Sequence, residues 1–244
     1  MTYPPATPLN DTVALREEVI RACFFLRDRL GYFIGTWGNI SVRVEEGLLV
    51  TPSRRDYEDL RPDDLVVVAW EGGVVRGHRL PTSETELHRQ LMLQRPDLGA
   101  LVHSHSPWAS VCACARRAIP VLADDVAEVI GGEVRCAKYA PAGRHRELAR
   151  NAREAIGPDA AAVLLANHGV VAGARDLAEA IVACQFVEKA AMILIQAAAL
   201  GGATPIPEPL WREERHRYLT KYGRPEDLAE LLKPPAPPEK GAAG

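Results

Sequence analysis

Two histidines spaced two apart, His103 and His105 in "LVHSHSPW", follow directly on an apolar run. Alternate residues of a strand share one face, so imidazoles at i and i+2 converge on one point, as two ligands of one metal ion must. The same spacing also arises in ordinary strands, so the pair needs further ligands before it reads as a site. "LLANHGVV" supplies one: His168 sits in an Asn-His-Gly turn after an apolar run, where a side chain can be aimed into a cleft. Asn, His and Gly all suit left-handed backbone, and taken alone His168 reads as a turn residue. Together the three imidazoles make the nitrogen set of an open catalytic zinc site, with positions left for water or substrate. Glu84 falls at the first turn of a predicted helix, where the helix dipole favours the carboxylate. There it can act as a further ligand, or as a base on a metal-polarised substrate, although acidic residues also stand at helix starts for stability alone.

Short polar turns form a second group. "GTWGNIS" (35–41), "TPS" (51–53) and "PTS" (81–83) each lie beside a strand or a helix start. Such turns present backbone N–H groups and hydroxyls to a phosphate, but each is also an ordinary turn. Arg54 and Arg55 follow Ser53 at once and add charge-assisted contacts to an anion.

The elements that must position these groups follow from periodicity. "DTVALREEVIRACFFLRDRLG" reads as a helix with Asp11 as N-cap, an apolar stripe through Leu15, Val19, Cys23, Leu26 and Leu30, and Gly31 at its end. Strands are expected at roughly 40–44, 48–51, 65–70 and 74–76. "PTSETELHRQLMLQRP" reads as a helix opened by a Ser83–Glu86 capping box and stopped by Pro96. The strand "GALVHSH" is followed by a helix from Ser106 with Pro107 at its first position. Two strands flank a polar turn near 161–173, a long apolar helix covers 176–200, and a last amphipathic helix runs to about Tyr222. Strands only a few residues apart permit antiparallel pairing, so this is α/β in composition without a doubly wound parallel sheet. His88, one turn after Glu84, is expected in the core or behind the site. His78 and His145 are expected in loops, and His216 on an exposed helix face.

At 244 residues one core is the economical reading. Residues 1–10 are expected to form a flexible arm, 11–232 a single domain, and 233–244 a disordered Pro/Gly/Ala-rich tail. With 32 acidic against 29 basic residues, a nucleic-acid role has no electrostatic support. The first residues lack the apolar core of a signal peptide, and "AAMILIQAAAL" is too short to span a bilayer. Five cysteines in a chain of this length read as reduced and mostly packed, which points to the cytoplasm. Cys112 and Cys114 lie two apart on a predicted helix, and so face apart.

The ordered set "GTWGNISVR", "VTPS", "LPTSETELH", "LVHSHS" and "LLANHGVV" resembles the class II aldolase/adducin family, over about residues 11–225. Its nearest described functions are aldol cleavage of L-fuculose 1-phosphate and 4-epimerisation of L-ribulose 5-phosphate. The resemblance implies a three-layer αβα fold with a mainly antiparallel sheet. It implies a C4-type homotetramer with sites at subunit interfaces, and a zinc ion or another divalent metal such as manganese. It also implies metal ligation by His103, His105 and His168, with Glu84 as acid/base residue and substrate-free ligand. Asn39, Ser53, Thr82, Ser83 and the backbone at Gly38 would hold the substrate phosphate. Tyr222 in "TKYG" matches the C-terminal tyrosine that reaches a neighbouring site and protonates the aldehyde oxygen.

Two departures bear on the substrate. The glycine that usually follows the family's TPS or TPT turn is Arg54 here, which is expected to narrow the pocket or recruit a carboxylate or a second anionic group. "VLADDVAE", after Pro120, lacks the aromatic residues that shape the aldehyde pocket, and Asp124 or Asp125 becomes a candidate contact. The expected activity is retro-aldol cleavage of a small phosphorylated ketose through a metal-stabilised enediolate. The alternatives are a pentulose-phosphate 4-epimerase, a decarboxylase or dehydratase using the same chemistry, and a non-catalytic adducin-like scaffold. An amidohydrolase barrel also opens on HxH, but places it near the start of a chain of about 250 residues or more.

Overall fold

The computed structural model describes residues 4–141 and 143–222, so the expected tail 233–244 lies outside the described residues. Mostly valine- and leucine-rich runs form the strands β1 (Asn39–Val44), β2 (Gly47–Val50), β3 (Val66–Ala69), β4 (Val74–Arg76), β5 (Ala100–Ser104), β7 (Ala162–Leu165) and β8 (Gly169–Ala174), with a two-residue β6 (Cys136–Ala137) at one edge. They make one sheet in the order β4-β3-β2-β1-β5-β8-β7-β6. Only β6 and β7 pair in parallel; the other neighbours are antiparallel.

The helices are α1 (Val13–Phe24, running into a π turn over Phe25–Arg29), α2 (Thr85–Gln94), α3 (Pro107–Ala115), α4 (Asp124–Val129), α5 (His145–Ile156), α6 (Leu177–Ala197) and α7 (Glu208–Thr220). Side chains alternate across the strands, and the two faces feed separate cores. Ile40, Val42, Val102, Leu164 and Val170 pack with apolar residues of α1, α3 and α6. Leu48, Val50, Leu101, Val163 and Val171 pack with Leu87, Leu91 and Met92 of α2 and with Leu148, Ala149 and Ala152 of α5. This is the expected three-layer αβα arrangement.

Several local expectations need correction. Thr12, not Asp11, caps α1, its hydroxyl accepting from Leu15 N–H at 3.2 Å. Asp11 instead takes both ends of the buried Arg16 guanidinium at 2.7 Å, which holds its carboxylate off the helix terminus. The Ser83–Glu86 capping box does not form. Thr82 makes the turn into α2, its carbonyl accepting from Thr85 N–H and hydroxyl, and Glu86 is drawn along the helix to Arg89 and Gln90. Ser83 is thereby left exposed. His145 opens α5 rather than lying in a loop. The expected elements include neither α4 nor α5, although Leu148, Ala149, Ala152 and Ile156 give α5 a regular apolar stripe. Ahead of α1, Ala6 N–H bonds Pro96 O and Leu9 lies beside Val44.

Candidate active site and metal centre

Parity along β1 and β5 sets the floor of the site. Asn39 pairs with His103 and Ser41 with Leu101 across the sheet. Leu101 belongs to the core under α2, so Asn39, Ser41 and His103 point the same way, toward the first turns of α2. Glu84 and His88 come down from that helix, four residues apart on one face.

The three histidines meet with ring centroids 4.8–5.1 Å apart. Nε2 of His103 lies 3.0 Å from Nε2 of His105 and 3.2 Å from Oε2 of Glu84, while Oε1 of Glu84 lies 3.2 Å from Nε2 of His168. His103 Nδ1 donates to Val170 O at 3.0 Å, and because a carbonyl only accepts, Nδ1 carries the hydrogen and Nε2 faces the cluster. A carbonyl behind the ring that fixes its tautomer is what a metal-binding histidine needs. Burial and the neighbouring rings push His105 and His168 down to about 4, so both offer neutral nitrogens. Burial would raise the Glu84 carboxyl, but the fields of His103 and His168 and the Asn39 hydrogen bond outweigh it and hold the group at about 2. Three imidazoles and an ionised carboxylate, with facing atoms 3.0–3.2 Å apart, close to the spacing of ligand atoms around a single tetrahedral ion, fit a divalent cation. Gly169 makes this packing possible: a Cβ there would stand 2.4 Å from Ser104 O and 3.0 Å from the His105 ring.

The polar turns arrive at the same place. Pro52 and Pro81 form an isolated bridge, Ser53 N–H bonds Leu80 O, and Thr82 N–H bonds Thr51 O, so "TPS" and "PTS" run side by side. Gly38, at φ +124°, lies so close to the Phe33 ring that a Cβ would be 2.2 Å from it. A cleft of about 780 Å³ joins both groups: Gly38, Asn39, Ser53, Arg54, Thr82 and Ser83 line it together with Glu84 and the three histidines. Arg54 is exposed and stands at φ +55°, one of few non-glycine residues in left-handed backbone.

Other expected contacts fall elsewhere. Asp124 and Asp125 do not line the cleft; Asp125 pairs with Lys189 of α6, because α4 packs against the opposite side of the sheet. Tyr222 is 62% exposed, its ring 5.2 Å from that of Tyr218, and it does not line the cleft of its own chain. The lining also includes Trp37, Tyr139, Arg144 and His145, which sequence reasoning passed over. An aromatic in a glycine-bounded turn marked Trp37; for the others the signal was only the start of an unassigned helix. Cys112 is buried and Cys114 exposed, facing apart as expected, and all five cysteines are free. No helix among the described residues is long and apolar enough to cross a membrane.

Comparison with known proteins agrees with this geometry. The sequence pattern of the Class II Aldolase and Adducin N-terminal domain matches residues 17–195. A 5-methylthioribulose-1-phosphate/5-deoxyribulose-1-phosphate aldolase of Rhodospirillum rubrum is 40% identical over 92% of this chain and 98% of its own. The L-fuculose phosphate aldolase of Escherichia coli is 32% identical over 79% of this chain and 87% of its own. Among solved structures, an L-fuculose 1-phosphate aldolase superposes with a TM-score of 0.78 at 34% identity, covering 85% of this chain and 97% of that one. The chain belongs to the class II aldolase and adducin family.

Proposed function

We propose that this chain is a metal-dependent carbon–carbon lyase that cleaves a ketose 1-phosphate by a retro-aldol reaction, with a 5-deoxy or 5-methylthio pentulose 1-phosphate as the substrate class. One observation carries the reading: a cluster of three histidines and a carboxylate opens into the same cleft as a cradle of hydroxyl, amide and glycine groups. A scaffold has no use for both. The substrate class rests on the relative that is 40% identical.

His103, His105 and His168 would hold the ion, with Glu84 as a fourth ligand until substrate enters. When bound, a zinc or manganese ion supplies positive charge to the carbonyl and adjacent hydroxyl oxygens of the ketose as negative charge develops there. Ser53, Thr82 and Ser83 hydroxyls, the Asn39 amide and the backbone at Gly38 take the phosphate, and Arg54 adds a charge-assisted contact. In the synthetic direction Glu84, ionised in the free cleft, takes the proton from C3 of dihydroxyacetone phosphate. The C3–C4 bond forms as the aldehyde oxygen gains a proton from a tyrosine hydroxyl. Cleavage runs the same transfers backwards. Tyr222, solvent-facing and clear of its own cleft, is suited to serve the site of a neighbouring subunit in a C4-type homotetramer. The setting is cytoplasmic, with free thiols throughout.

The test is elemental mass spectrometry of purified protein beside His103→Ala, followed by an aldehyde-release assay on ketose 1-phosphates. About one divalent ion per chain, lost in the variant together with turnover, is expected. Full turnover in a protein stripped of metal would overturn the reading.

A further inference from the structure

Behind Glu84 lies a run of three buried hydrogen bonds that the proposed reaction does not yet use. Asn39 Nδ2 donates to Glu84 Oε2 at 2.7 Å, Asn39 Oδ1 meets His88 Nε2 at 2.5 Å, and His88 Nδ1 meets Ser41 Oγ at 2.7 Å. His88 and Ser41 are fully buried, and Asn39 and Glu84 nearly so. His88 and Ser41 are sealed from solvent, so their donors and acceptors must suit their neighbours.

The first bond sets the sense of the whole run: Asn39 turns its NH2 toward Glu84 Oε2, which leaves its Oδ1 facing His88. The Oδ1 only accepts, so His88 must carry its hydrogen on Nε2. A neutral ring then leaves Nδ1 as an acceptor, and the Ser41 hydroxyl must donate to it. Burial and the field of His103 push His88 down to about 3, which keeps the ring neutral. The opposite tautomer would flip the amide and set Oδ1 against Glu84 Oε2, oxygen against oxygen at hydrogen-bond distance.

We infer that His88 is a positioning residue: as the Nε2–H tautomer, seated on Ser41, it locks the Asn39 amide so that one N–H holds Glu84 Oε2 and the other faces the cleft. One amide then ties the carboxylate to the floor of the proposed phosphate cradle, and His88 decides which way that amide points. This rests on the aldolase reading for its consequence in catalysis, but not for the tautomer itself.

The experiment has two independent readouts. Nitrogen-15 spectra of the full-length protein labelled at histidine, metal-free and zinc-loaded, should show His88 protonated on Nε2 and bare on Nδ1. Protonation on Nδ1 would overturn the inference. His88→Leu, which keeps bulk and removes the donor, should lower kcat and zinc affinity by chelator competition, each roughly ten- to a hundred-fold. The fall in kcat should exceed any rise in KM, because the phosphate hydroxyls remain. His88→Gln, whose amide nitrogen can reach the Nε2 position, should recover most of the loss. A folded His88→Leu protein with wild-type kcat and zinc affinity, or a His88→Gln protein as impaired as His88→Leu, would also overturn it. If His88→Leu does not fold, the nitrogen spectra decide. Absence of lyase turnover from the wild-type protein would instead sink the aldolase reading, leaving tautomer and zinc affinity to judge His88.

Discussion

On the floor of the cleft Asn39, Glu84 and His103 are buried, as is His88 behind them, and each is bonded to another or to backbone. At the rim Ser53 is half-buried, Ser83 and Arg54 face water, and none of these three side chains has a hydrogen-bond or ion-pair partner among the described residues. The floor comes from central strands β1 and β5 and the helix packed on them; the rim comes from turns. A rigid, fully partnered floor suits charge that must be placed before substrate arrives. An unpartnered rim suits groups whose partner is the substrate itself, since a donor already satisfied within the protein gains little from a phosphate.

The largest break in this contrast is at Glu84. Glu84→Gln keeps the shape and still accepts from Asn39, but it cannot exchange a proton. Turnover should fall by roughly 10²–10⁴-fold while one ion per chain remains on the three histidines. Metal content near wild type with unaltered turnover would remove Glu84 from the chemistry.

The floor should also be the acid-sensitive part of the metal-free protein. His105 and His168 are pushed by burial to about 4 and His88 to about 3, against an ordinary 6.5. Between those limits the unfolded chain binds protons that the fold refuses. Stability is therefore fully present above 6.5 and is lost as pH falls through the window, at up to about 3–4 kcal/mol per pH unit for three groups. Glu84 acts later: its depressed carboxyl contributes above 4.5 and is lost only as pH falls toward about 2. Thermal melts of metal-free protein from pH 7 to pH 5 should drop steeply. His88→Leu should flatten the drop by about one proton's share. A melting temperature independent of pH across that range would mean these rings are not held neutral by the fold.

The same contrast explains what could be read from the chain. His103, His105 and His168 were legible because strand parity and a glycine turn dictate where their side chains go, with no knowledge of distant partners. The polar turns at 51–53 and 81–83 were legible as candidates, but their side-by-side placement depends on the Pro52–Pro81 bridge, which no local pattern announces. His88 was legible as a residue in the core or behind the site, because it shares a helix face with Glu84; its partners were not, although Asn39 and Ser41 share a strand face as His103 and His105 do. What joined them is the register Asn39↔His103, a long-range fact. Tyr139, Arg144 and His145 enter the cleft because α5 packs beside α2; that helix does carry a helical pattern, Leu148, Ala149, Ala152 and Ile156 set against Arg146, Arg150 and Arg153, but nothing in it says which helix it will lie beside. Ser83 was assigned to a cap that Thr82 supersedes, a competition between neighbouring hydroxyls that composition does not resolve.

The smallest effect expected lies at the rim, and it has two signs. Arg54 occupies left-handed backbone at φ +55°, where a side chain costs about 1–2 kcal/mol and glycine costs little. A residue kept there against that cost, at the lip of the cleft, is explained if its charge meets the substrate phosphate. Arg54→Gly should therefore raise stability by about 1 kcal/mol, offset in part by glycine's greater freedom in the unfolded chain. It should also raise KM for a ketose 1-phosphate about ten-fold while leaving kcat near wild type, since one charge-assisted contact is lost and the floor is untouched. Binding of the unphosphorylated ketose should not change, which separates charge recognition from a change in cleft shape. A lower melting temperature would show that the Arg54 backbone is not strained. An unchanged KM would show that its guanidinium does not reach the phosphate, and would leave the hydroxyls of Ser53, Thr82 and Ser83 to hold it alone.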